Sequence, residues 1–170
     1  MEEARKSGDA KKIDKIEAIG PPPYDTPGRQ NKKDNFIFRY GGVVHNNGFR
    51  LIGSVMLDFL TSPEYSLLEG LKTIMNKGYE FSMEAMWKDL KQINLTKGIA
   101  SIKVPVYFFE GSYDMATPTV LVENFYNGLD AKNGKKLIIF KKSAHLPMLE
   151  EKKKYEDLLI NIVLRESQDR

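Results

Sequence analysis

The sequence predicts an α/β chain, with two parallel β-strands and flanking helices in its last third and an all-helical unit before them. Three observations carry this. Val104-Pro-Val-Tyr-Phe-Phe109 and Lys136-Leu-Ile-Ile-Phe140 are short β-branched and aromatic runs, as strands buried on both faces are. Between them Thr117-Pro118 opens a helix, as N-cap and first helical residue, that runs to about Leu129. Strand, helix, strand is a crossover unit, which is right-handed and leaves the two strands parallel.

Taken in order, residues 2–18 read as a polar helix with a thin apolar stripe of Ile13, Ile16 and Ile19, stopped by Gly20 and Pro21-Pro22-Pro23. Residues 21–35 hold Pro, Gly, Asn, Asp and Lys with hardly an apolar side chain, which predicts a linker, so residues 1–35 form a first division of the chain. Residues 36–100 form a second. Phe36, Phe38 and Tyr40 lead into Gly41-Gly42, and three apolar patterns at helical spacing follow: Leu51 with Val55 and Leu57 to Leu60; Leu67, Leu68, Leu71, Ile74 and Met75; Met83, Met86, Trp87 and Leu90. Ser66 and Ser82 suit N-caps and Gly78 a C-terminal stop. The stripe of Met56, Phe59, Met75, Phe81, Met83, Met86 and Trp87 reads as helix core, with a flexible apolar substrate wall as the second reading. Residues 101–170 form the strand-helix-strand-helix division, closing on an amphipathic helix with Tyr155, Leu158, Leu159, Ile162 and Val163.

Composition narrows the function. The 170 residues are 41% hydrophobic and 29% charged, a globular balance that suggests one core. No apolar run has membrane-spanning length, and the N-terminus carries charges of both signs without an apolar region, so the expected compartment is the cytoplasm and no membrane partner is expected. With no cysteine there is no disulfide or thiol nucleophile, and two histidines a hundred residues apart leave little for a metal site. Basic residues exceed acidic ones only by 26 to 23 and lie scattered, which argues against nucleic acid.

The topology decides which polar residues can meet. Asp114 follows the first strand and His145 the second, so both lie on loops at the carboxyl edge of the sheet, where open α/β sheets bind ligands. A carboxylate holding one imidazole nitrogen leaves the other free as a general base, two-thirds of a catalytic triad. From spacing alone the plainer reading, a turn aspartate and a capping or surface histidine, outweighs it.

Val104-Pro-Val-Tyr-Phe-Phe-Glu-Gly-Ser-Tyr-Asp114-Met-Ala-Thr-Pro118, Lys136-Leu-Ile-Ile-Phe140, Ser143-Ala-His145-Leu-Pro147 and Glu150 together resemble the closing segment of the α/β-hydrolase family, in its lid-bearing, proline iminopeptidase-like branch. The resemblance implies that Asp114 is the triad acid and His145 the triad base, that residues 49–94 are the lid, and that Gly20-Pro-Pro-Pro-Tyr24 leads into it. It implies the C-terminal part of an α/β-hydrolase fold, acting without a cofactor on a small ester, amide or short peptide. Tyr113, Phe125, Met75, Met86 and Trp87 would then shape an apolar substrate pocket.

The family's Gly-x-Ser-x-Gly elbow is missing, and with it the oxyanion donor beside the nucleophile. Ser54 stands in a helical pattern, and Ser112 and Ser143 stand in turn-like loops. The nucleophile is therefore expected outside this chain, and a two-stranded parallel sheet, with a bare face and an open edge, calls for a complementing chain or a second copy. A catalytically inactive remnant that binds protein, or a free-standing helical binding module over residues 36–94, is the rival expectation.

Overall fold

In a computed structural model, residues 10–46, 48–75, 77–99 and 101–168 are described, and the order is helical first and α/β last. Helix α1 spans Ala10–Ile19 and ends at Gly20, whose N–H bonds the Ile16 carbonyl at 3.1 Å. The part of the expected helix before Ala10 lies outside the described residues.

The expected linker is largely helix. Helix α2 spans Pro27–Arg39, with Pro27 in its first turn and the Thr26 hydroxyl accepting the Arg29 N–H as N-cap. Thr26-Pro27 is a helix start, and Gln30 on Asp34 one turn later (2.9 Å) supports the polar interior. An apolar stripe was the wrong signal to require of a helix this polar.

Three helices follow: α3 (Gly48–Thr61), α4 (Leu67–Ile74) and α5 (Lys77–Leu90). The Ser66 cap is present in reciprocal form: its hydroxyl accepts the Glu69 N–H at 3.3 Å and the Glu69 carboxylate accepts the Ser66 N–H at 2.9 Å. Ser82 and Gly78 differ from expectation, because α5 starts five residues before Ser82, which donates to the Gly78 carbonyl from inside the helix. The core reading of the stripe fails for Met75, Met86 and Phe81, which are 61%, 54% and 76% exposed. Trp87 is held instead by the turn before α2, its indole N–H lying 3.2 Å from the Tyr24 carbonyl and 3.1 Å from that of Asp25.

A short helix α6 (Leu95–Gly98) leads into two parallel strand pairs. Strands β1 (Ser101–Ile102) and β3 (Asp130–Ala131) form a two-residue pair too short for a hydrophobic period to show. Pro105 has no N–H for a ladder and separates β1 from β2 (Val106–Gly111), so the longer strand starts after Val104 and Pro105. Strand β4 (Lys135–Phe140) follows the turn at Gly134, whose φ of +98° favours glycine, and pairs parallel with β2 from Val106↔Lys135 to Gly111↔Phe140. The crossover helix α7 is Thr119–Gly128. It begins one residue later than expected, with Pro118 as its N-cap, and Thr117, released from capping, serves the site described below.

Neither face of the β2–β4 sheet is bare. Adjacent strand residues point to opposite sides, and Phe108 meets Phe125 and Tyr126 of α7 at 5.9 and 5.7 Å, while Phe109 meets Tyr155 at 5.2 Å on the other side. Tyr155 lies on α9 (Lys152–Leu158), which follows the short α8 (Pro147–Glu150). The expected single closing helix continues through a π-helical stretch, Leu159–Leu164, into α10 (Arg165–Gln168). No helix among the described residues is long and apolar enough to cross a membrane.

Candidate active site

The carboxyl ends of β2 and β4 are the best-buried part of the described residues. Phe140, Ser143 and Ala144 are fully buried, and Gly111 lies so close to the next loop that a Cβ there would sit 1.9 Å from the Ala144 carbonyl oxygen. This close approach draws the loop after β2 and the loop after β4 together.

It brings Asp114 and His145 into contact, Oδ2 to Nδ1 at 2.8 Å. The Asp114 side chain is 3% exposed and its other oxygen accepts the N–H groups of Ala116 (2.7 Å) and Thr117 (2.8 Å). An ionised carboxylate only accepts, so its partner Nδ1 carries the proton and Nε2 presents a lone pair. The Thr117 hydroxyl lies 3.1 Å from the same Nδ1 and restrains the ring from a second side. Burial opposes the Asp114 anion, but the bond from His145, the two backbone N–H groups and the imidazolium charge outweigh it and hold its pKa below the usual range. The bond to Asp114 raises the pKa of His145, against burial, with the charges of Asp114 and Glu110 adding to the rise and Lys33 opposing it.

A cavity of about 190 Å³ adjoins the pair, lined by Phe108, Phe109, Val122 and Pro147 on its apolar side and by Glu110, Asp114, Thr117 and His145 on its polar side. Glu110, 5% exposed, accepts a hydrogen bond from the Thr119 hydroxyl at 3.1 Å. Burial first, and the Asp114 charge second, push its carboxyl up to about 7, against the Thr119 bond and the charge on His145. Its charge at the end of an apolar strand run is the signal in the sequence that marks it. Between the ordinary 4.5 and about 7 the folded state holds this proton and the unfolded chain does not, so stability falls as pH rises through that window. Glu110→Gln should remove the decline, raising stability relative to the parent by on the order of 1–2 kcal/mol more at pH 8 than at pH 5. Urea unfolding at the two pH values measures this, and an equal difference at both would refute it.

The other expected pocket residues do not line this cavity. Tyr113 stacks on His45, ring centroids 3.4 Å apart and 6° between planes. Phe125 packs on Phe108 beneath the sheet, Trp87 is bonded to the Tyr24 and Asp25 carbonyls, and Met75, just past the end of α4, and Met86 on α5 are exposed. Of the serines weighed above, Ser143 is buried and donates to Glu151 at 2.8 Å, and Ser54 on α3 donates to the Leu51 carbonyl at 2.7 Å. Among the described residues no three His, Asp or Glu side chains gather as a metal site would require.

Residues 41–46 are the feature that sequence reasoning missed. The Gly42 carbonyl accepts the Met115 N–H at 3.0 Å and the Val43 carbonyl accepts the His145 N–H at 2.9 Å, so one short strap touches both loops of the pair.

With this geometry in place, the chain is similar to the probable aminopeptidase YbaC of Bacillus subtilis, 30% identical over 141 residues that take in 78% of this chain and 41% of that protein. The chain thus spans less than half the length of this relative, and the similarity is to a protein named as a peptidase. No family model matches the chain. No solved structure matches it.

Proposed function

We propose that the chain is the acid-and-histidine part of a lid-bearing α/β hydrolase that cleaves a small ester or amide bond, of aminoacyl or short-peptide type, with the nucleophilic serine supplied from outside these residues. The contact between Asp114 and His145 carries this reading, and the likeness to a probable aminopeptidase supports the peptide end of the substrate range. Asp114 keeps the proton on Nδ1. His145 Nε2 takes the serine proton as the hydroxyl attacks the carbonyl carbon, then gives it to the leaving amine or alcohol. Water repeats the sequence on the acyl-serine and releases the acid. No cofactor is required for these steps. Helices α3–α5 serve as the lid, and Met75 and Met86 offer the exposed apolar contact that a substrate side chain would take.

Co-expression with a segment bearing a Gly-x-Ser-x-Gly elbow should restore hydrolysis of an aminoacyl ester and labelling by an active-site phosphonate, and His145→Ala should abolish turnover. A reconstituted pair that takes up no phosphonate sinks the hydrolase reading. The exposed Leu67, Leu68, Leu71, Phe81 and Met86 favour a second reading, a non-catalytic module that binds protein. That reading requires association seen by light scattering and indifference to His145→Ala.

A further inference from the structure

His145 stands on a loop, and a loop holds an imidazole only as firmly as its own backbone is held. Two backbone bonds connect the loops to the strap, and a third group fastens the strap itself. The Glu150 carboxylate accepts the His45 N–H at 2.8 Å and the Asn46 N–H at 3.1 Å on Oε1, and the Ala144 N–H at 2.7 Å on Oε2. Bonds of this length to an ionised acceptor are about twice as strong as neutral ones. Glu150 therefore binds the residue before His145 to the two residues that end the strap. On the opposite side the strap is pressed against the acid loop: a Cβ on Gly42 would lie 2.6 Å from the Met115 Cβ and 2.7 Å from the Ile37 Cγ2. The neighbouring Glu151 makes a useful contrast, since its bonds, to the Lys142 N–H (2.9 Å) and the Ser143 hydroxyl (2.8 Å), stay within the histidine loop among the described residues.

We propose that Glu150 is a positioning residue for the dyad: it fixes the histidine loop against residues 41–46 and, through the Val43 and Gly42 carbonyls, sets the separation of His145 from Asp114. It touches no reacting atom. A slip of about 1 Å between strap and loop would carry the pair beyond hydrogen-bond range, which is the scale of misplacement that costs catalysis. The inference rests on the dyad reading given above, so its test reads the dyad directly and in this chain alone.

The probe is the imidazole proton itself, followed by NMR in the nitrogen-labelled protein, where two histidines make assignment simple. The parent should show a low-field His145 Nδ1 proton and a titration midpoint above the ordinary imidazole value. In Glu150→Ala and Glu150→Gln the midpoint should fall back toward the ordinary value, and the Nδ1 proton should exchange with water about tenfold faster, equivalent to about 1.4 kcal/mol. Glu151→Ala should keep the parent's signature. Gln is included because it preserves volume while turning one acceptor into a donor facing a backbone N–H. Folded Glu150 variants with an unchanged midpoint and exchange rate overturn the assignment. Failure of both variants to fold also overturns it, because Glu150 would then serve the fold at large. A parent without the low-field proton and with an ordinary midpoint would instead sink the dyad reading, whatever Glu150 does.

Discussion

If the chain acts as the hydrolase part proposed above, Asp114→Asn is expected to lower the turnover of the complemented pair by about four orders of magnitude at neutral pH while leaving the chain folded. The turn should survive because an amide oxygen can still accept the Ala116 and Thr117 N–H groups that Oδ1 accepts now. What is lost is the charged acceptor 2.8 Å from His145 Nδ1. Without it nothing selects the tautomer that leaves Nε2 unprotonated, and the imidazolium formed during attack has no counter-charge. In this chain alone the same substitution should bring the His145 midpoint down, since its bond to Asp114 is the main cause of the rise. Steady-state rates and an NMR titration measure the two effects, and turnover within tenfold of the parent would refute the assigned role.

The pH dependence of stability follows from the same pair. The lowered pKa of Asp114 contributes stability that is present above the ordinary carboxylate value and lost as pH falls through its folded value. The raised pKa of His145 contributes stability that is full below the ordinary 6.5 and lost as pH rises through its folded value. Both describe one interaction, counted once. Glu110 adds its decline between the ordinary 4.5 and about 7, so the chain should be most stable in mildly acid solution.

Gly111→Ala should be the most damaging small substitution in the protein, at about 3 kcal/mol. The added Cβ would stand 1.9 Å from the Ala144 oxygen and 2.5 Å from the Ser143 oxygen. Both are backbone atoms in a buried loop, so no side chain can swing aside and the histidine loop itself must retreat. Gly128→Ala is the matched control: at the end of α7 its Cβ meets nothing within 4 Å, and helix propensity predicts a gain of up to about 1 kcal/mol. Equal urea midpoints for the two variants would show that the close approach is absent.

What could be read from sequence depended on the range of the interaction. Strands β2 and β4 declared themselves through apolar runs, and crossover geometry then placed Asp114 and His145 together from 31 positions apart. Helix α2 carries no apolar stripe to declare it, although Thr26-Pro27 marks its start. Exposure of Met75, Phe81 and Met86 escaped because a stripe shows which face is apolar and says nothing of what covers it. The strap escaped for a stronger reason: its partners are backbone groups and one carboxylate a hundred positions away, and such contacts leave no local period.

The bonds from Glu150 to His45 and Asn46 span 105 and 104 positions. At roughly 5–20 residues per second of synthesis, roughly 5–20 s separate the making of the strap from the making of its carboxylate. During that interval its N–H groups have only water for partners. Helices α1–α5 precede both loops in the chain, so a nascent chain interrupted before β4 carries Asp114 without its imidazole partner.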